Sequence, residues 1–447
     1  MNSDRKLGFW MCTALVIGNT IGIGIFLLPA SLAPFGFNAL IGWVITVLGC
    51  MAMARVFARL ARDMPAADGP YGYIRSTLGD IPAFLSIWCY WVSLWISNAA
   101  IATGVVGYID AMFPELTIIN PSLLALGLVW LFVIINLFGV RTGGRVQILT
   151  TALKLVPMLV VAALGAWLLI KHPASYVQHL PTTPVSLSQV MAASTIALFA
   201  MLGLESATVP AGRVEDPGRT IPRATIVGAL LTAVIYIIVS TVPLLLIPQQ
   251  QLAHSSAPFA DLLDQYLGHG NGRWLALFVV ISGLGALNGW TLLVGELTRT
   301  MACNGVLPAV FTRGNGRGAP AVALLVTGVL ASAMVLMSYS KSLVEGFTLM
   351  TTVVTAANLP LYLCCALALA MMWWRGQRPA SRDLLMLAVP GTIYVLFVFI
   401  GLGHEPFWYA VALAAAGLPV YAVMRWQRVK SKASVAAGVM PPPTSKP

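Results

Sequence analysis

Gly18-Asn19-Thr20-Ile21-Gly22-Ile23-Gly24 lies in the middle of the first long apolar segment, Leu7 to Leu32. Three glycines and an Asn-Thr pair are poor material for a lipid-facing helix, since each glycine costs about 1 kcal/mol of helix propensity relative to alanine. Irregular backbone at membrane depth is tolerated only where it is buried in protein or lines a cavity. The stretch therefore reads as a broken span with a binding site at residues 18–24, and a matching break in the other half of the chain would mark a transporter. The competing reading is close helix packing through small residues, for which Gly18 and Gly22 have the familiar spacing.

The surrounding composition suits a bilayer. Of 447 residues, 58% are hydrophobic and 9% charged, whereas a soluble domain carries about 25% charged residues. At about 20 apolar residues per crossing, the apolar runs predict an all-α integral membrane protein of twelve transmembrane helices. The spans fall at roughly 7–32, 39–61, 82–111, 121–138, 146–170, 187–211, 221–247, 274–301, 319–339, 346–374, 383–402 and 407–424, with boundaries good to a few residues. Arg5 and Lys6 before an apolar run imitate a signal peptide, but no small-residue cleavage site ends that run, so a retained first helix is expected. Connections are short; the longest, 248–273, reads as a polar loop. Residues 1–430 are expected to form one transmembrane unit, and 431–447, which lack apolar periodicity, a disordered tail.

A net charge of +11 raises the question of nucleic acid, and its distribution answers it. With the N-terminus inside, Lys and Arg collect in the loops of one side and in the C-terminal tail. Only Lys171, Arg273 and Lys341 fall on the other side, and Lys154 falls within a span. By the positive-inside rule both termini are cytoplasmic, and the charge is a topology signal. The six cysteines sit in spans or at their cytoplasmic ends, which argues against an external disulfide framework. No zincin helix, Walker loop or nucleophile elbow is present, so an enzyme is not expected. A channel would want repeated rings of polar residues, and two breaks in one chain do not supply them.

The second break is in span six, Phe199-Ala200-Met201-Leu202-Gly203-Leu204-Glu205-Ser206-Ala207. Spans one and six each open a set of five and run in opposite directions. The two interruptions thus occupy corresponding places of a 5+5 inverted repeat (about 7–170 and 187–374), with two further helices at about 383–424. Both spans are expected to be unwound at midmembrane.

Several stretches resemble the amino acid–polyamine–organocation (APC) superfamily: Gly18 to Ala30, Gly203 to Ala207, and Glu215-Asp216-Pro217-Gly218-Arg219-Thr220-Ile221-Pro222. Asn288-Gly289-Trp290-Thr291-Leu292-Leu293 and Asn304-Gly305-Val306-Leu307-Pro308 are similar, more specifically, to its basic amino acid/polyamine antiporters. The resemblance covers approximately 7 to 425. It implies a LeuT-like fold in the bacterial inner membrane and secondary active exchange of arginine for agmatine or a related amine, as in bacterial acid resistance. The alternative is a proton-coupled or facilitative permease for neutral or broad-range amino acids. Either reading involves a small amino acid or amine substrate and the lipid bilayer, with no cofactor, metal or nucleic acid; a homodimer is left open.

For the site, the backbone around Thr20, Ile21, Ile23 and Gly24 would offer N–H donors to a substrate carboxylate at the start of the outer half-helix. Carbonyls freed near Gly18 and Gly203 would suit an ammonium group. The resemblance makes Trp290 the central aromatic on which a guanidinium or aliphatic chain stacks; ordinary packing is the alternative. Phe199 stands where the antiporters have a closing Trp, and Ile23 replaces a Ser. On span three, Tyr90, Leu94, Ser97/Asn98 and Ile101 share one helical face. The resemblance makes Tyr90 an outer gate and Asn98 a substrate-side amide, with Ser93 and Leu94 replacing Ala and Cys. Thr351, Thr352 and Thr355 either add polar lining or bond back to their own helix.

Charges inside the membrane default to function. Glu205, by resemblance, is a proton-sensitive link between substrate and gate; a structural, hydrogen-bonded acid is the alternative. Lys154 lies about 12 Å inside its span, long for a snorkelling stem. A lysine that gives up and regains its proton there would couple a proton cycle to opening.

Overall fold

A computed structural model describes residues 8–64, 67, 69–113, 120–138, 143–203, 215–316, 318–376 and 382–436. The first apolar segment is two helices, α1 (Phe9–Thr20) and α2 (Gly24–Leu32), separated by Ile21-Gly22-Ile23. α3 (Phe37–Asp63) and α4 (Gly69–Leu78) lead into α5 (Asp80–Met112), followed by α6 (Pro121–Leu137), α7 (Gly143–Lys171), α8 (Ser175–Gln178) and α9 (Leu187–Met201). The remainder comprises α10 (Pro217–Leu246), α11 (Gln249–His254), α12 (Pro258–Leu267), α13 (Asn271–Cys303) and α14 (Ala321–Met337). It closes with α15 (Leu343–Trp374), α16 (Arg382–Gly401), α17 (His404–Ala415) and α18 (Gly417–Ala436). Among the described residues there is no strand. Among the described residues, seven helical segments are long and apolar enough to cross a membrane, and α1, α2, α6, α9, α14 and α16 are shorter apolar helices.

Local chemistry sets several of these boundaries. Asn120 caps α6 by accepting from the Ser122 N–H, with Pro121 at the first helical position. Ser342 and Glu345 form a reciprocal capping box at the start of α15. The 248–273 connection, expected to be a polar loop, contains α11 and α12. Pro258 opens α12, and Phe259, Ala260, Leu262 and Leu263 give it an apolar face that is buried, while Asp264 accepts from the Gly272 N–H and Gln265 donates to Leu246 O. A short amphipathic helix docked by its neighbours needs no long apolar run. At the other end, α18 continues past residue 430 to Ala436, since no proline interrupts it before Pro441; residues 437–447 lie outside the described set.

The core is centred on α5, whose spanning window is 94% buried, packed along α13 and α15. The two halves of the broken helix are held differently. Every residue of α2 is buried, among α9, α10, α11, α12 and α15, whereas α1 packs chiefly along α10. The break is thus set against the most buried part of the molecule.

Candidate substrate site

Breaking a helix strands its carbonyls and amides, and buried ones must find partners. Two carbonyls of the break are met by side chains from other helices. Lys154 Nζ of α7 donates to Gly18 O at 3.1 Å, and Tyr236 OH of α10 donates to Thr20 O at 2.9 Å. Beyond the break, Tyr108 OH donates to Phe26 O at 2.7 Å and so fastens α2 to α5. The Gly18 carbonyl, expected to serve a substrate ammonium, is therefore engaged by a protein ammonium.

A narrow cavity of about 40 Å³ lies at the break. Thr20, Gly22, Ile23, Gly24 and Ile25 form one wall, and Tyr90, Ser93, Leu94, Ser97 and Ile101 of α5 face them. Phe199, Ala200 and Leu202 at the end of α9, Trp290 of α13, and Val354 and Asn358 of α15 complete the lining. None of these residues carries a charged side chain. The i, i+4 stripe on α5 explains why that wall assembles: Tyr90, Leu94, Ser97 and Ile101 recur at helical spacing.

Three hydroxyls of the wall share one feature. Thr20 Oγ1 donates to Val16 O at 2.8 Å, Ser93 Oγ to Tyr90 O at 2.7 Å, and Ser97 Oγ to Ser93 O at 2.8 Å. Each hydroxyl has one hydrogen to give and two lone pairs. With the hydrogen spent on the helix, the oxygen is left as an acceptor. Asn358 Nδ2 donates one of its two hydrogens to Val354 O at 2.8 Å. The cavity thus combines acceptor oxygens with the aromatic faces of Tyr90, Phe199 and Trp290.

One side of the cavity is closed by an apolar layer. Phe199 and Phe347 meet edge to face, with centroids 6.0 Å apart. A Cβ on Gly24 would lie 2.7 Å from Phe199 Cε1, so only glycine lets that ring approach the backbone. Ile23, fully buried, fits between two other glycines: a Cβ on Gly104 of α5 would be 3.0 Å from Ile23 Cγ1, and one on Gly283 of α13 would be 2.9 Å from Ile23 Cδ1. Thr103 and Gly346, sequence neighbours of Gly104 and Phe347, border a second cavity of about 310 Å³.

Of the residues expected at the site, Thr20, Ile23, Gly24, Tyr90, Ser93, Phe199 and Trp290 are brought together on this wall. Ile21, Asn98, Gly203 and Thr355 are not part of it. Ile21 packs into the core at the end of α1. Ser97 takes the place beside Asn98, which is buried with no partner for Oδ1. Gly203, at φ 99°, follows the end of α9, and Leu202 lines the cavity instead. Thr355 Oγ1 bonds back to Thr351 O at 3.0 Å, leaving Val354 and Asn358 to face inward. Lys154 acts on the break rather than on the cavity, and Glu205 lies outside the described residues. Among the described residues no group of His, Cys, Asp and Glu could hold a metal ion.

A family model described as amino acid permease matches residues 7–427. The chain belongs to that family. It is 33% identical over 396 residues to a putative arginine/ornithine antiporter of Bacillus subtilis, covering 82% of this chain and 84% of that one. It is 34% identical over 343 residues to a cadaverine/lysine antiporter of Escherichia coli, covering 75% and 76% of the two chains. In fold it is similar to a manganese transporter from Eremococcus coleocola, with a TM-score of 0.55, 14% identity, and coverage of 95% and 94%. This amino acid permease family member is a multi-pass membrane transporter, not an enzyme.

Sequence reasoning about this transporter missed Ile25, Ala200, Leu202, Val354 and Asn358. Ile25, Ala200, Leu202 and Val354 carry no chemistry that would single them out. Asn358 carried a signal: an amide in an otherwise apolar run, one turn from Val354 and three residues past Thr355.

Proposed function

We propose that the transporter is a secondary active exchanger of a cationic amino acid, arginine being the first candidate, for agmatine or a related amine. The observation that carries this is a set of hydroxyl oxygens on the wall that are left to accept. Oxygens of Thr20, Ser93 and Ser97 have spent their hydrogens on backbone carbonyls, and a guanidinium or ammonium brings only donors. Trp290 would supply the stacking face, worth about 0.5–2 kcal/mol for a cation. The amide end of α2 at Gly22, Ile23 and Gly24 suits the α-carboxylate of an amino acid. A decarboxylated amine would use the same acceptors and leave those donors unused. The names of the arginine/ornithine and cadaverine/lysine antiporters support the same substrate class.

In this reading the chain has twelve spans, built as a 5+5 inverted repeat plus two helices, with both termini cytoplasmic in a bacterial inner membrane. Substrate is exchanged by alternating access, Tyr90 and Phe199 close over it, and Glu205 links proton and gate. A second reading, a proton-coupled permease, is favoured by one contact. Lys154 holds Gly18 O, so loss of its proton would loosen the break without any counter-substrate.

Reconstitution in liposomes separates the two. Uptake of labelled arginine that requires internal arginine, agmatine, ornithine or putrescine supports exchange. Uptake into empty vesicles that follows a pH gradient overturns exchange and supports the permease. Transport of no amino acid or amine overturns both.

A further inference from the structure

The motif Asn288-Gly289-Trp290 gives its tryptophan to the cavity, while its asparagine has no part in the lining. Asn288 is bonded to α6 instead. There Asn136 Nδ2 donates one hydrogen to Phe132 O of its own helix at 2.8 Å and the other to Asn288 Oδ1 at 3.0 Å. Asn136 is only 6% exposed, and α6 contributes no residue to the wall that Trp290 lines. The end of α6 is itself fastened, since Asn315 Nδ2, between α13 and α14, donates to Leu137 O at 2.6 Å. A second polar link joins α13 to α5, where Trp91 Nε1 donates to Thr298 Oγ1 at 2.7 Å.

At 3.6 residues per turn, Asn288 lies about 160° from Trp290 around α13, and Thr298 about 80° from it. The two links thus hold α13 on two sides and leave the Trp290 side toward the cavity. Apolar contacts are non-directional, whereas a hydrogen bond has a preferred direction. An amide left unpaired among apolar helices is costly, so the pair resists rotation of α13. A turn of about 20° would carry a ring about 6 Å from the helix axis sideways by about 2 Å. That matters to a cation that must sit over the ring face within about 6 Å of its centre.

We propose that Asn288 is a positioning residue for substrate: its bond with Asn136 sets the turn of α13 and so the face that Trp290 offers to a cationic side chain. The proposal rests on the reading of Trp290 as the stacking face.

The test measures arginine KM and maximal exchange rate in proteoliposomes for Asn136→Leu, Asn288→Leu and the double variant, each with and without Trp290→Ala. Leucine keeps roughly the volume and removes the amide. From the strength of polar bonds between membrane helices, either single variant should raise arginine KM about three- to fifteenfold, with a much smaller effect on maximal rate. The double variant should match the singles, because all three lose the same bond. Asn288→Gln, which keeps an acceptor oxygen, should recover part of the wild-type KM. In the Trp290→Ala background neither leucine variant should raise KM further. Asn136 reaches the cavity only through Asn288, so Asn136→Leu carries the test alone if Asn288→Leu fails to assemble. A further rise in KM without Trp290, a fall in rate at unchanged KM, or no change at all overturns the positioning role while the Trp290 reading stands. An arginine KM that Trp290→Ala itself leaves unchanged overturns that reading and the proposal with it.

Discussion

At the scale of single residues, the site is a matter of which atoms remain free after the helices have taken what they need. Trp290 is half-buried on the cavity wall, and Trp290→Ala should weaken cationic substrates by about two- to thirtyfold, the range of one cation–π contact. Trp290→Phe should recover part of that, and arginine KM measured in exchange checks both. Ser97 and Asn98 show where sequence reading stops. Both lie on the same turn of α5, and the pattern of Tyr90, Leu94 and Ile101 does not choose between them; only the packing of α5 against α13 and α15 does. Lys154 was legible because a lysine deep in an apolar run is rare, but its partner, the Gly18 carbonyl, belongs to another helix and leaves no trace in local spacing. Lys154→Met should strand that carbonyl at a cost of about 1–3 kcal/mol, read as a lower thermal midpoint in detergent, and Tyr236→Phe should do the same through Thr20 O.

At the scale of elements, the break between α1 and α2 was readable because three glycines and an Asn-Thr pair are expensive inside a helix. What the break docks into was not. Ile23 enters a notch made by Gly104 and Gly283, residues far apart in sequence. Gly104→Ala places a methyl 3.0 Å from Ile23 Cγ1, and overpacking of this kind costs about 1–3 kcal/mol. It should therefore slow exchange by preventing α2 from seating. Ile23→Ala leaves a void and should leak, and the double variant Ile23→Ala/Gly104→Ala should restore much of the exchange rate, because the new methyl fills the space the old side chain leaves. Failure of the pair to rescue would mean that the two positions act separately. α12 escaped the sequence reading for a related reason: its buried face holds too few residues to register as a span. Its Asp261 carboxyl is pushed above the ordinary carboxylate value by burial, against the opposing donation from Ser255. A carboxyl raised on folding contributes stability below its unfolded value and loses it as pH rises through the folded one. The thermal midpoint should accordingly fall on that rise, and Asp261→Asn should flatten the dependence.

At the scale of the molecule, the two half-helices define which way the site opens. α2 is buried on every side, and Tyr108 and the Phe199–Phe347 pair close the layer above the cavity. Among the described residues, α1 packs chiefly along α10, with Lys154 of α7 bonded to its end. The half that is held from all sides cannot move without breaking many contacts, while α1 has fewer to break among the described residues. The expectation is that the cavity opens more readily at the α1 end than at the α2 end. That is a statement about accessibility, and a cysteine at the cavity tests it. Ser97→Cys lines the site, and of the native cysteines Cys12, Cys50, Cys89 and Cys365 are buried, so replacing Cys303 and Cys364 leaves a quiet background. A membrane-impermeant maleimide should label Ser97→Cys faster in inside-out than in right-side-out vesicles, and added arginine should slow the reaction. Adding Gly104→Ala, which keeps α2 from seating, should raise labelling from the Lys341 side. Faster labelling from that side in the Ser97→Cys protein alone would reverse the assignment of the closed face.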